Sequence, residues 1–270
     1  MPMLKNFTFG QYYATDSLIH RMDPRFKLVE MITFIVFIFL ASDFASLLLL
    51  AAVIVLVMLL SRVPMALYLR NLKPIIPIVI FTALLNALYV GEGQMLFSWW
   101  IIEITSGGLW RAAFMSLRIL LLILISSVLT YTTTPTALTD GIESLFSPLK
   151  FIGLGEVVHT LAMMMTIALR FIPTLTDETQ KIMAAQKARG ADLETGGLFK
   201  RLKGLMPILI PLLISSIRRA YELAEAMDCR CYHGGKGRTR MKKLIPALRD
   251  YMAVLVLVAV LAIIILLRFF

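Results

Sequence analysis

Apolar residues fall into long runs over much of this chain. The first runs from about Leu28 to Leu40 and the second from Phe44 to Leu60, broken only by Ser42-Asp43. A third, opened by Pro74 and Pro77, reaches about Val90; a fourth covers Leu109 to Tyr131, and a last covers Leu244 to Leu267. A helix of about 20 apolar residues crosses a ~30 Å hydrocarbon core, and the first two runs lie near the short end of that range. Ser42-Asp43 therefore decides the count. It reads as a tight turn, because Arg25 and Lys27 precede the pair of runs and Arg62, Arg70 and Lys73 follow it. Basic span ends face the cytoplasm. Five spans are predicted, with the N-terminus cytoplasmic and the C-terminus at the outer face.

The stretch from Thr132 to Lys243 has a different pattern. Thr132-Thr133-Thr134-Pro135 is a helix-start signal, with threonine to cap and proline near the first turn. Leu138, Ile142, Leu145, Phe146 and Leu149 then recur at helical spacing beside Asp140, Glu143 and Lys150, which suits an interfacial helix. Two further segments share one plan: an apolar first half, a charged second half, one arginine between small residues, then a chain break. The first runs from Val157 through Met163-Met164-Met165 and the polar tract after Asp177 to Ala188-Arg189-Gly190. The second opens at Pro207 and Pro211, turns polar at Arg218-Arg219 and ends at Cys229-Arg230-Cys231, before His233-Gly234-Gly235. Residues 191–204 read as the connection. The pattern leaves open whether the 156–175 helix spans, dips or lies flat.

Composition agrees with a membrane protein. Hydrophobic residues make up 59% of the 270, and mean hydropathy is +0.83, well above the soluble range. No cleaved signal peptide is expected, since positions 5–30 are polar and charged before the first long run. The formal charge of +10 is unevenly spread: 16 of the 27 Lys and Arg fall between Arg170 and Arg249, whereas 91–108 has none and carries Glu92, Trp99, Trp100 and Glu103. That asymmetry is what membrane topology and anionic headgroups produce. Aromatic platforms and modules for nucleic acid are missing. The expected class is an all-α polytopic membrane protein, with about five transmembrane helices and a cytoplasmic-face module of two or three amphipathic coupling helices. Its regions are 1–27, a four-span region 28–131, the module 132–243 and a last helix 244–270.

Candidate chemistry is sparse. Arg189 and Arg230, 41 residues apart, recur in equivalent places. One arginine at a helix C-terminus answers the macrodipole; two on matched segments suggest guanidinium forks for soluble partners. Cys229 and Cys231 with His233 lack a fourth metal ligand. His20 and His159 stand apart from any catalytic constellation. Arg118 is the main charge inside a span, near enough to one end to snorkel or pair with a neighbour. No Gly-x-x-x-x-Gly-Lys loop occurs, so any use of ATP falls to another subunit. A secondary transporter would need discontinuous spans and midplane charges, and a membrane-embedded enzyme a polar cluster at one depth.

These residues resemble the transmembrane subunit of energy-coupling factor (ECF) transporters, the EcfT-type, CbiQ-like family. The likeness rests on His20 to Arg25, Thr133 to Leu149 with Gly141-Ile142-Glu143, and Leu169-Arg170-Phe171-Ile172-Pro173. Most specific are Ala184 to Asp192 and the stretch from Ile217-Arg218-Arg219-Ala220 to Arg230-Cys231-Tyr232. The family carries two short Ala-Arg-Gly-like motifs at the tips of coupling helices. Ala188-Arg189-Gly190 matches the first closely, whereas Cys229 and Cys231 stand where the second has alanine and glycine. The resemblance implies that each arginine triplet engages one of two ABC-type ATPases, which hold the ATP and magnesium. It also implies a small membrane-embedded S component that binds a vitamin or metal ion, docked on an apolar platform for which Met163, Met164, Met165 and Ile167 are the candidates. The chain itself then catalyses nothing and sits in a prokaryotic cell membrane.

Overall fold

The structure, a computed structural model, describes residues 12–89, 95–99, 102–191, 198–234 and 244–269. Its helices are α1 (Pro24–Leu40), α2 (Phe44–Ser61), α3 (Met65–Leu72), α4 (Ile76–Tyr89), α5 (Ser106–Thr132), α6 (Pro135–Leu145), α7 (Gly155–Ala188), α8 (Leu198–Asp228) and α9 (Leu248–Phe269). A short antiparallel pair, β1 (Met95–Trp99) and β2 (Ile102–Thr105), lies within the stretch read as an outer loop. Glu92 and Trp100 lie outside the described residues, as do the side chains of Trp99 and Glu103. The fold is that of an all-α polytopic membrane protein. It divides into two compact units, Met1–Ile142 with Lys242–Phe270, and Glu143–Met241.

Five helices of the described residues are long and apolar enough to span a membrane: Phe44–Ser61, Met65–Leu88, Ser106–Thr132, Gly155–Ala188 and Leu248–Leu266. The number five is as expected, but the members differ. Helix α1 has 17 residues, about 26 Å at 1.5 Å per residue, at the short limit for a span. Helix α7 qualifies in its stead. The third span also starts earlier than its prolines suggest. A 3₁₀ turn at Lys73–Ile75 accommodates Pro74, so α3 and α4 run on as one rod from Met65. Buried Tyr68 holds α3 in place, its ring edge-on to Tyr131 at 5.2 Å and its hydroxyl 3.1 Å from Ser61 Oγ.

In the first unit the core is apolar and comes from α1, α2, α5 and α9, including Phe37, Ile38, Leu47, Leu50, Ile54, Leu121, Ile125 and Ile264. Several of its polar ties lie at one end. Asp23 caps α1, accepting from the Arg25 N–H at 3.0 Å, with Pro24 at the first helical position. Buried Asp250 accepts from the Asp23 N–H at 3.0 Å and the Ala247 N–H at 2.7 Å, fixing the start of α9 beside the start of α1. Lys27, also buried, donates to the carbonyls of Thr132 (3.0 Å) and His20 (3.3 Å). The Tyr13 N–H reaches the Tyr131 carbonyl at 2.9 Å. Thus α1 and α9 start, and α2 and α5 end, at one face. At the opposite end Arg118 donates to the Ala41 carbonyl at 2.6 Å and lies over the Phe114 ring. This arginine within span α5 therefore satisfies the free carbonyl end of α1.

Thr134 caps α6 as its sequence predicts, its hydroxyl accepting from the Ala137 N–H at 3.3 Å. Gly141 lets α6 approach α1 closely: a Cβ there would meet Pro24 Cβ at 3.2 Å.

Candidate functional site: two arginine-tipped arms

The second unit is built on α7 and α8. Helix α7 has 34 residues, and α8 has 31. Helix α8 begins at Leu198, so the tract read as a connection is helical over its second half; residues 192–197, and the side chains of Lys200, Arg201 and Lys203, lie outside the described residues. Each arm tolerates internal proline, Pro173 in α7 and Pro207 and Pro211 in α8. Pro211 has no N–H to give the Pro207 carbonyl. Gln186 of α7 uses that vacant acceptor, its Nε2 donating to Pro207 O at 3.4 Å.

The arms run antiparallel. Glu178 accepts from Ser215 Oγ at 2.5 Å and from Arg219 Nη2 at 2.6 Å, while Gln186, further along α7, meets Pro207, further back along α8. Glu178 and Arg219 are themselves 41 residues apart, the same offset as Arg189 and Arg230. Two antiparallel arms of one plan bring equivalent positions together only where they cross. That point is the Glu178–Arg219 ion pair. Asp177-Glu178 in α7 answers Arg218-Arg219 in α8, so the repeat carries opposite charge at its crossing.

Both arms end in the same backbone motif. After α7 the Gly190 N–H donates to Lys187 O (3.0 Å) and the Ala191 N–H to Gln186 O (3.0 Å). After α8 the Cys231 N–H donates to Asp228 O (2.9 Å) and the Tyr232 N–H to Met227 O (3.1 Å). These are paired Schellman turns, which satisfy the last free carbonyls. Gly190 has φ +82°, and Cys231 takes the same left-handed turn at φ +54°. The cysteine in place of glycine leaves the turn intact.

The predicted triplets are thus placed identically within their arms. By these bonds Arg189 and Arg230 take the cap position, each preceded by a small residue, Ala188 or Cys229, and Gly190 and Cys231 turn the chain. All six residues are exposed. The triplets are not brought together. Each arginine lies eleven residues beyond its member of the crossing pair, about 17 Å of helix. The tips point in opposite directions, up to roughly 33 Å apart.

The platform candidates are dispersed around α7. Met163 and Ile167 are half-buried, while Met164 and Met165 are exposed. Consecutive helical residues point about 100° apart, so three methionines in a row cannot share one face. Ile167 lines a concave apolar surface of about 280 Å³ with Phe171, Leu175, Leu223 and Met227. Sequence patterns missed Glu178, Ser215 and Gln186; the 41-residue offset, applied to the charged positions, points to the first. His159, read as standing apart, is hydrogen-bonded through Nδ1 to Glu143 Oε1 at 3.0 Å. Among the described residues no group of three or more His, Cys, Asp or Glu is placed to hold a metal ion.

A family model described as "CbiQ: Cobalt transport protein" matches residues 15–242. Among curated relatives, the "Energy-coupling factor transporter transmembrane protein EcfT" of Acidaminococcus fermentans is 48% identical over 266 residues, covering 98% of each chain. The protein of the same name from Clostridium kluyveri is 50% identical over 252 residues, 93% of each. That from Bacillus subtilis is 44% identical over 266 residues, 98% of this chain and all of the relative. With its apolar spans and coverage from end to end, the chain belongs to the EcfT family of CbiQ-type proteins, the membrane-spanning components of energy-coupling factor transporters.

Proposed function

We propose that this chain is the non-catalytic scaffold of an ECF-type importer, carrying motion from two ABC-type ATPases to a small S component that delivers a vitamin or metal ion. The observation that carries this reading is the pair of identical arm ends. Two exposed C-cap arginines on matching Schellman turns, at opposite ends of a crossed helix pair, suit two similar partners. A guanidinium at such a tip forks onto carboxylates or carbonyl oxygens lining a groove. ATP and magnesium belong to the ATPases, whose closure draws the tips together. The S component sits on the exposed apolar faces of the arms, which include Met164, Met165, Leu213 and Ile214. Coupling requires that ATPase states interact differently with the arms, which two tips held by one crossing allow.

The test is a pull-down paired with uptake. Arg189→Glu/Arg230→Glu, inserted at normal yield, is expected to lose at least about tenfold in ATPase retention, more than 1.4 kcal/mol, and to abolish uptake. Recovery of both ATPases at the wild-type level would overturn the assignment.

A further inference from the structure

In the first unit three arginines from distant parts of the chain converge on one cavity. Arg21 precedes α1, Arg62 follows α2 and Arg249 opens α9. Together with Asp16, Leu59 and Leu60 they line a space of about 320 Å³. Asp16 is engaged by Arg21, and this bond holds its carboxyl below the ordinary 3.8. Neither Arg62 nor Arg249 forms a salt bridge among the described residues. Three guanidiniums against one carboxylate leave the cavity with an excess of two positive charges.

A second cavity adjoins the first and shares Leu60 with it. It measures about 200 Å³ and lies between α1, α2, α5 and α9, lined mainly by apolar residues such as Phe34, Leu56, Val57 and Leu257, with Lys27 and Glu30 of α1 also on its wall. The polar cavity is at the ends of spans α2 and α9, at headgroup depth. The apolar one runs beside those spans, at acyl depth. Leu56 and Leu59, next to the junction, are 54% and 60% exposed.

We infer that these adjoining cavities form a binding site for one anionic phospholipid, with its phosphate among Arg21, Arg62 and Arg249 and an acyl chain along Leu60 into the apolar cavity. Arginine forks suit a phosphate oxygen pair. A lipid of net negative charge meets the positive excess, whereas a zwitterionic lipid brings its own cation there. The site ties the ends of α2 and α9 and the segment before α1 to the leaflet, independently of any docking at the arms.

The full chain, delipidated in detergent, is titrated with phosphatidylglycerol or phosphatidylcholine of equal chains and examined by native mass spectrometry. Phosphatidylglycerol should bind at least about tenfold more tightly. Each arginine near an anionic headgroup is worth roughly fivefold, so Arg62→Gln/Arg249→Gln should lose about thirtyfold, while Arg62→Lys/Arg249→Lys, which keeps the charge and loses the forks, should fall between the wild type and the glutamine variant. Equal occupancy by the two lipids in the wild type overturns the proposal without any variant. So does unchanged preference in the folded glutamine variant. A third arm adds inorganic phosphate alone; stabilisation equal to that from phosphatidylglycerol would assign the site to free phosphate and refute the lipid.

Discussion

If the crossing of α7 and α8 is the pivot of the arms, cutting its ion pair should uncouple the transporter without dissolving it. Glu178 receives two bonds there, from Ser215 and Arg219, and the side chains of Glu178 and Arg219 are 21% and 33% exposed. Hydrogen bonds to a charged group contribute about 1.5–3 kcal/mol when buried, and exposed pairs about 0.2–1. Partial exposure places Glu178→Ala near 1.5–2 kcal/mol, and Arg219→Ala near 1 because Ser215 keeps its acceptor. A double-mutant cycle should give a coupling of about 1 kcal/mol. The assay is uptake per ATP hydrolysed by the reconstituted complex, with melting of the chain in nanodiscs alongside. Both single variants should retain ATPases and hydrolysis, since the tips are untouched, and lose about tenfold in uptake per ATP, the equivalent of 1.4 kcal/mol in coupling. The charge swap Glu178→Arg/Arg219→Glu should recover most of it. A swap no better than the worse single variant, or strictly additive effects, would refute the pivot.

The arm ends make a second test. Replacing Cys231 by glycine removes the cost of a side chain at φ +54°, so the α8 turn should gain about 0.5–1 kcal/mol with docking kept. Gly190→Ala should cost a similar amount through backbone conformation alone, because nothing lies within 4 Å of the added Cβ at φ +82°; amide hydrogen exchange at the two turns reads both, and opposite signs are required. A third test concerns His20. Burial pulls its pKa below the ordinary 6.5, against the Tyr13 carbonyl that accepts at 2.9 Å. The unfolded chain then binds the proton more readily, so stability is full above 6.5 and falls as pH drops through that value toward the folded pKa. Melting in nanodiscs between pH 7.5 and 5.5 should show this loss in the wild type and less of it in His20→Gln; equal losses would exclude His20 as the cause.

Much of this architecture was legible in hydrophobic spacing, because a span must be continuous and apolar and its breaks are short. Ser42-Asp43, Thr134-Pro135 and the glycine after Arg189 each mark an end that the structure places within a residue or two. Spacing fails where a tertiary partner overrides a local signal. Pro74 reads as a helix start, yet Tyr68 is anchored by Ser61 and Tyr131, and helix extends upstream of it. Arg118 reads as a charge that snorkels or pairs near a span end, but spacing does not name its partner, the Ala41 carbonyl across in α1's cap. The crossing pair was hidden for another reason. Its members are 41 residues apart and match by opposite charge, so neither looks like a copy of the other.

The distribution of buried apolar residues bears on how such a scaffold works. The first unit holds nearly all of them, while in the second only Ala162 and Ile208 are buried among the described apolar residues. Removing large apolar side chains from water is the main source of folding free energy. The second unit therefore depends on what covers it, lipid or protein, and its arms are joined by the Glu178 and Gln186 contacts and a shallow apolar surface rather than by a deep core. Such a joint suits rotation better than shear, since a rotating ion pair keeps its bonds while interdigitated side chains resist. Each tip stands about 17 Å from the crossing. A transverse displacement of about 5 Å at each tip then turns each arm by roughly 17°, enough to re-angle the apolar faces of α7 and α8 beneath the S component under the proposed function. Tight core packing between the arms would forbid that movement. The sparse burial and the charged crossing are thus the physical form a lever takes in this chain.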